Sequence, residues 1–257
     1  MDRAQLLALL DEVRTGKVAP EAAAQEIGAL PYAEVLHAVG ASMIDHHREL
    51  RTGVPEIVFG ATKTPEQIAG TLGELGKRGS GIATRVDADK AARVKGLLPG
   101  TSYHELARIL SIGTPGPRPP AAKICVVCAG TSDLPVAEEA ALVAEFLGAP
   151  VTRISDVGVA GLHRLLARLD DIRACDVVIA VAGMEAALPS VLGGLLDRPL
   201  IAVPTSVGYG VSIDGLVALG ALLAGCAPGV TVVNIDNGVG AAVAAVKIAR
   251  LVVGGRE

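Results

Sequence analysis

The strongest constraint on the fold is a regular alternation in the second half of the chain. Five short runs, AKICVVCAG (122–130), VTRISDVG (151–158), DVVIAVAG (176–183), PLIAVPT (199–205) and VTVVNIDNG (230–238), are rich in Val, Ile and Leu and bounded by Gly or Pro. Between and after them lie segments with helical apolar spacing at 135–149, 161–175, 185–197, 213–226 and 239–252. Near-continuous apolar strands alternating with helices predict a parallel sheet covered on both faces, a doubly wound, flavodoxin-like α/β domain. Ligands of such sheets bind outside the carboxyl ends of the strands. The predicted strands end there in small or polar residues: Gly130-Thr131-Ser132-Asp133, Ser155-Asp156-Val157-Gly158, Gly183-Met184-Glu185, Pro204-Thr205-Ser206 and Asn234-Ile235-Asp236-Asn237-Gly238.

A proline-dense stretch precedes this domain. Residues 111–123 carry Pro115, Pro117, Pro119 and Pro120, through which neither helix nor central strand can run. The predicted organisation is therefore a smaller N-terminal α/β domain (1–112), a linker (113–121) and the doubly wound domain (122–257). In the first half, residues 2–49 read as helical, and 56–60 and 81–86 as short strands. A helix start is written at Thr64 (N-cap), Pro65 and Gln67, which closes a capping box, and Asp87 caps a further helix over 87–98.

Composition narrows the function classes. Of 257 residues 51% are hydrophobic but only 2% aromatic, with no Trp, which opposes both disorder and base-stacking platforms. A net charge of -4 leaves no basic footprint for nucleic acid. The mean hydropathy of +0.49 predicts apolar surface buried between subunits. A membrane span is the rival, but its best stretch, 216–233, is broken by Gly220, Gly225, Pro228 and Gly229. The charged, amphipathic start lacks the layout of a signal peptide, so the expected location is cytoplasmic, with the four Cys reduced.

Several groups can do chemistry. Cys226 follows an apolar helix at a turn, as either a core thiol or a nucleophile. Cys125 and Cys128 point to opposite faces of one strand and, like Cys175, read as structural. The Gly130–Asp133 turn can face an anion with its N–H groups, cap a helix, or do both. Glu185 opens a helix as a dipole partner or a general acid/base. Gly238-Val239-Gly240 is a weak dinucleotide signal or a tight packing turn. Asp45-His46-His47-Arg48 reads as a solvated helix face, His104 as a satisfied core or interface residue, and His163 and Arg164 as surface or packing residues.

GTSDLPVAEEA and VAGMEAALPSVLGGLLDRPLIAVPT resemble the core of the aminoimidazole-ribonucleotide carboxylase/mutase (PurE) family. With DHHRELRTGVPEIVFG (45–60), IATRV (82–86), IAVPTSVGYG and GCAPGVTVVNIDNGVGAA (225–242), the whole chain resembles the pyridinium-3,5-biscarboxylic acid mononucleotide synthases (LarB family), which begin synthesis of the nickel-pincer cofactor of lactate racemase. It departs from the purine enzymes where their Ser-Ala-His-Arg loop becomes Ser155-Asp156-Val157-Gly158, and where a second histidine becomes Ala187.

The resemblance implies carboxylation of nicotinic acid adenine dinucleotide by CO2 or bicarbonate through a cysteine adduct, with hydrolysis of the phosphoanhydride to AMP. It implies catalytic roles for Cys226, Glu185 and Asp133, and a weaker one for His104. Thr131, Ser132, Asp156, Gly183, Met184, Ser206, Gly208, Asn234, Asp236 and Asn237 are expected to line the nucleotide site, with Lys63, Arg85 and Arg48 binding phosphates. A divalent ion such as Mg²⁺ is expected, with Asp236 and Asn237 as candidate ligands. The resembled families form homo-oligomers of eight subunits. No nucleic acid, membrane or organic cofactor is expected as partner.

Overall fold

A computed structural model of the protein describes residues 3–28, 32–36, 41–116 and 118–254. The chain divides into two compact units, Met1–Gly116 and Pro117–Glu257.

The first unit opens with helices α1 (Arg3–Arg14) and α2 (Pro20–Gly28). The continuous helical reading of residues 2–49 fails beyond them. β1 (Tyr32–Leu36) and β2 (Ala41–Asp45) form an antiparallel pair in the register Leu36↔Ala41 to Tyr32↔Asp45. Ala41 and Met43 are exposed while Ile44 is buried, a period of two spread over too few residues to stand out from helical spacing. Only α3 (Arg48–Thr52) of the following polar cluster is helical. His46 is buried beside Glu74 (Nε2–Oε1 3.7 Å) rather than on a solvated face. Its desolvation pushes the imidazole pKa down, and the Arg78 charge acts in the same direction.

A second sheet follows, built from β3 (Ile57–Phe59), β4 (Ser80–Thr84), β5 (Ser102–His104) and β6 (Ile109–Gly113) in the order β3-β4-β6-β5. β3 and β4 are parallel, joined by α4 (Pro65–Gly76), and α5 (Ala88–Leu97) follows β4. The capping box forms as written. Thr64 Oγ1 accepts from Gln67 N at 3.3 Å and Gln67 Oε1 accepts from Thr64 N at 3.0 Å. Asp87 Oδ1 accepts from Lys90 N at 2.8 Å.

In the second unit the five predicted strands all form: β7 (Ile124–Cys128), β8 (Val151–Ile154), β9 (Val177–Ala182), β10 (Leu200–Pro204) and β11 (Val230–Val232). They pair in parallel in the order β11-β10-β9-β7-β8, the flavodoxin-like doubly wound arrangement. Every residue of β7, β9 and β10 is buried, which accounts for their unbroken apolar sequence. The helices are α6 (Leu134–Phe146), α7 (Leu162–Ala167), α8 (Leu169–Arg173), α9 (Ala187–Gly193), α10 (Leu216–Leu223) and α11 (Gly238–Gly254). The Gly238 motif is a packing device. A Cβ there would lie 2.7 Å from Val136 O and 2.9 Å from Glu139 Oε2, so its absence lets α11 seat on α6. No helix among the described residues is long and apolar enough to cross a membrane.

Candidate active site

In this strand order the chain reverses its direction of travel across the sheet between β7 and β9, which opens a crevice at their carboxyl ends. A cleft of about 350 Å³ lies there, walled by the turns after β7, β8 and β9 and by Val207. Asp133 ties the turns together. Its Oδ2 accepts from Gly130 N at 2.9 Å and its Oδ1 from Thr205 Oγ1 at 2.7 Å, and the Gly183 N–H is a third donor. One carboxyl group thereby joins the ends of β7, β9 and β10. Burial pushes its pKa above the ordinary 3.8 and the negative charge of Asp236 adds to the rise, against the pull of the three hydrogen bonds. A buried carboxyl with raised proton affinity, opening on a cleft, is suited to holding or moving a proton.

The opposite wall is the Gly183-Met184-Glu185-Ala186 turn. Met184 (φ 53) and Ala186 (φ 50) are both left-handed, a conformation held by Met184 N donating to Val207 O and Ala186 N to Gly183 O, both at 2.8 Å. A Cβ on Gly183 would collide with Val207 O and lie 2.6 Å from Thr205 Oγ1, so only glycine fits. The turn leaves Glu185 exposed and lining the cleft, ahead of α9. Gly208 sits beside Met184, where a Cβ would be 3.8 Å from its sulfur.

The third wall holds Asp156 in a left-handed conformation (φ 57), its Oδ2 paired with Arg164 Nη1 at 2.6 Å. Gly161 makes room for that guanidinium, since a Cβ would lie 2.6 Å from Arg164 Nε. Arg164 therefore lines the cleft, as the one cation among its described lining residues, although its sequence context marked it only as surface or packing. Thr205 is likewise a site residue that the adjoining Ser206 overshadowed.

Ser132 is exposed and lines the cleft, with Thr131 exposed beside it. The exposed Ser206 gives its N–H to Asp236 Oδ1 at 2.8 Å, and Asn237 Oδ1 accepts from Gly240 N at 2.9 Å. Asn234 Oδ1 accepts from Ile235 N at 2.9 Å. Asp236 and Asn237 thus spend oxygens on the backbone. Among the described residues no group of three or more His, Cys, Asp or Glu could hold a metal ion.

The cysteines separate cleanly. Cys125, Cys128 and Cys175 are buried and Cys226 is exposed. Burial raises the Cys125 thiol far above its normal range and Cys128 to about 11, which makes both poor nucleophiles. Cys226 lies between α10 and β11, and β11 enters the sheet with Val230 beside Leu200, the first residue of β10. The thiol is therefore at the amino end of the strands. Cys226 is not among the described residues that line the cleft with Asp133 and Glu185.

The remaining candidates belong to the first unit. His104 is exposed at the end of β5, with Nε2 3.3 Å from Ser111 Oγ, and is not a core residue. Arg48 Nε pairs with Glu56 at 3.2 Å, Lys63 also acts on the Glu56 charge, and the Arg85 guanidinium lies 5.6 Å from the centre of the Phe59 ring.

The family model described as LarB/PurE-like N-terminal domain matches residues 36–114, and the one described as AIR carboxylase matches residues 123–253. The chain belongs to the LarB family, with a PurE-like second domain. An uncharacterized protein of Methanocaldococcus jannaschii is 38% identical over 229 residues, covering 81% of this chain and 84% of that protein. The N5-carboxyaminoimidazole ribonucleotide mutases of the same organism and of Pyrococcus horikoshii match at 36% and 31% identity. They cover 50% and 48% of this chain and 79% and 70% of their own. The LarB-type domain pair is that of a carboxylase- or mutase-type enzyme.

Proposed function

We propose that the protein carboxylates the pyridinium ring of nicotinic acid adenine dinucleotide and cleaves its phosphoanhydride, as the first step of nickel-pincer cofactor synthesis. The observation that carries this reading is a cleft lined by Asp133, Asp156 and Glu185 with no histidine among its described lining residues. A purine-type mutase, as resembled in the sequence, carries histidines in the matching segments, and Val157 and Ala187 stand at their positions in this chain.

The chemistry requires a nucleophile other than the ring, since a cationic pyridinium cannot attack CO2. Thiolate addition at ring C4 gives a neutral 1,4-dihydropyridine whose C5 is the nucleophilic carbon of an enamine. C5 attacks CO2 and forms the new C–C bond. A base removes the C5 proton, and expulsion of the thiolate from C4 restores the aromatic cation. Water then cleaves the phosphoanhydride and AMP departs. Cys226, the exposed thiol, supplies the sulfur, and Glu185 takes the C5 proton. Asp133, protonated more readily than a free carboxylic acid, donates a hydrogen bond to the incoming carboxylate. Arg164 draws the anionic nucleotide toward the cleft.

Mass analysis of the nucleotides formed from the dinucleotide and ¹³C-bicarbonate tests the reading. A mononucleotide carrying one labelled carboxylate, together with AMP, is expected. Turnover of carboxyaminoimidazole ribonucleotide with an untouched dinucleotide would overturn it.

A further inference from the structure

Asp133 has three hydrogen-bond partners, and they are not alike. Its Oδ2 accepts from Gly130 N at 2.9 Å, the Gly183 N–H is a second donor, and Thr205 Oγ1 lies 2.7 Å from Oδ1. A backbone N–H only donates, whereas a hydroxyl donates or accepts. Asp133 has two protonation states to satisfy. As a carboxylate it needs donors. As an acid its own O–H needs an acceptor, and at 4% exposure an unmet O–H carries the full desolvation penalty of that group. Of the three partners only the Thr205 hydroxyl can meet that need. A separation of 2.7 Å suits an O–H···O bond running in either direction.

The fold fixes the hydroxyl oxygen and leaves its hydrogen free. Thr205 is fully buried, directly after β10. Its N–H donates to Ala182 O at 3.0 Å, and its carbonyl faces Gly215, where a Cβ would lie 2.7 Å away. A β-branched side chain on so confined a backbone is stiff about χ1, so Oγ1 is held in place. Gly183 makes the room it occupies, since a Cβ there would stand 2.6 Å from Oγ1. The hydroxyl hydrogen, by contrast, turns freely about the C–O bond. The remaining titratable and charged groups set the field in which this pair works. Asp236 raises the proton affinity of Asp133 through its negative charge, and the Cys128 thiol feels the Asp133 charge in turn. Asp156, Glu185 and Arg164, the last paired with Asp156, share the cleft.

Resting on the carboxylation reading above, in which Asp133 offers a proton to the incoming carboxylate, we propose that Thr205 is the positioning residue for that proton. With Asp133 ionised, the hydroxyl donates to Oδ1. When Asp133 takes up a proton, the hydroxyl turns and accepts from Oδ1–H, so that the proton rests between the two oxygens. When a carboxylate arrives in the cleft, the O–H of Asp133 swings to it and the Thr205 hydroxyl turns back to donate. The exchange needs only the rotation of two O–H bonds, and no heavy atom moves.

Two measurements test this. Thr205→Val removes the hydroxyl at nearly constant shape, and Thr205→Ser restores it. Thr205→Ala, which cannot clash with its neighbours, gives the same comparison if the valine protein does not fold. With the dinucleotide as substrate, Thr205→Val should lower kcat about tenfold at nearly unchanged KM. The fall of kcat as Asp133 loses its proton should move to higher pH, because a bond that favours the ionised form is gone. Thr205→Ser should return both quantities toward wild type. A serine protein as impaired as the valine protein, or a valine protein with the wild-type kcat and pH profile, overturns the proposal, provided the wild-type protein carboxylates the dinucleotide. The second measurement needs no turnover. The infrared C=O band of protonated Asp133, identified by its loss in Asp133→Asn, is titrated with pH. In Thr205→Val the midpoint should stand higher than in wild type and the band should shift to higher frequency, as the acid O–H loses its acceptor. Thr205→Ser should match wild type. Identical bands in the valine and wild-type proteins overturn the proposal. A wild-type protein that does not carboxylate the dinucleotide, in a set whose bands shift as described, would refute the carboxylation reading and leave the reversible hydroxyl standing.

Discussion

The two ends of the second unit's sheet are built on different principles. At the carboxyl end, one buried carboxyl group takes hydrogen bonds from three strand ends, the non-glycine residues Asp156, Met184 and Ala186 are held left-handed, and a glycine is enforced by a carbonyl oxygen. At the amino end, Cys226 sits exposed on a turn of Gly, Ala and Pro. The first end is rigidly cross-tied, whereas the second presents an exposed thiol with almost no scaffolding. Substitutions of the buried, hydrogen-bonded groups at the carboxyl end should therefore disturb fold and activity together, and substitution of Cys226 activity alone.

The largest expected effect is the purest case. Cys226→Ala should lower carboxylation by about a thousandfold or more while leaving the thermal midpoint unchanged, as read by product analysis and a melting curve. A lowered midpoint would erase the contrast between the ends. Asp133→Asn should damage both properties. The amide keeps one acceptor oxygen and turns an N–H toward donors, so stability should fall by about 1–3 kcal/mol and activity by about a hundredfold, measured by denaturant titration and kcat.

Proton linkage sharpens the comparison. The folded Asp133 binds its proton more tightly than the unfolded chain does. Its contribution to stability is therefore complete below the unfolded value of 3.8 and is lost as pH rises through the raised folded value. Unfolding free energies across that window should decline for this group in wild type, and Asp133→Asn should remove the decline. Thr205→Val, which deletes a bond that lowers the pKa, should extend it to higher pH. The smallest effect is expected at Arg164→Ala. Its ion pair with Asp156 is half exposed, worth about 0–1 kcal/mol, so the change should appear as a raised KM for the dinucleotide at nearly constant stability.

The second unit was legible because its strands are buried on both faces, and a run such as Val177–Ala182 carries that burial in its composition. The cleft followed from topology, since loops after parallel strands converge. The same logic places Cys226: a residue between a helix and the next parallel strand lies at the amino end, whatever its chemistry. The β1–β2 pair was hidden by its brevity, and the burial of His46 depends on Glu74, twenty-eight positions away along the chain. The Asp156–Arg164 pair depends on a left-handed aspartate and the missing side chain of Gly161, neither of which hydrophobic periodicity encodes.

Three of the four cysteine thiols are sealed inside the hydrophobic interior and one is exposed. The native molecule is thus a single-label protein without mutagenesis. A maleimide fluorophore or nitroxide will attach at position 226, and its emission or mobility will report directly on the turn between α10 and β11.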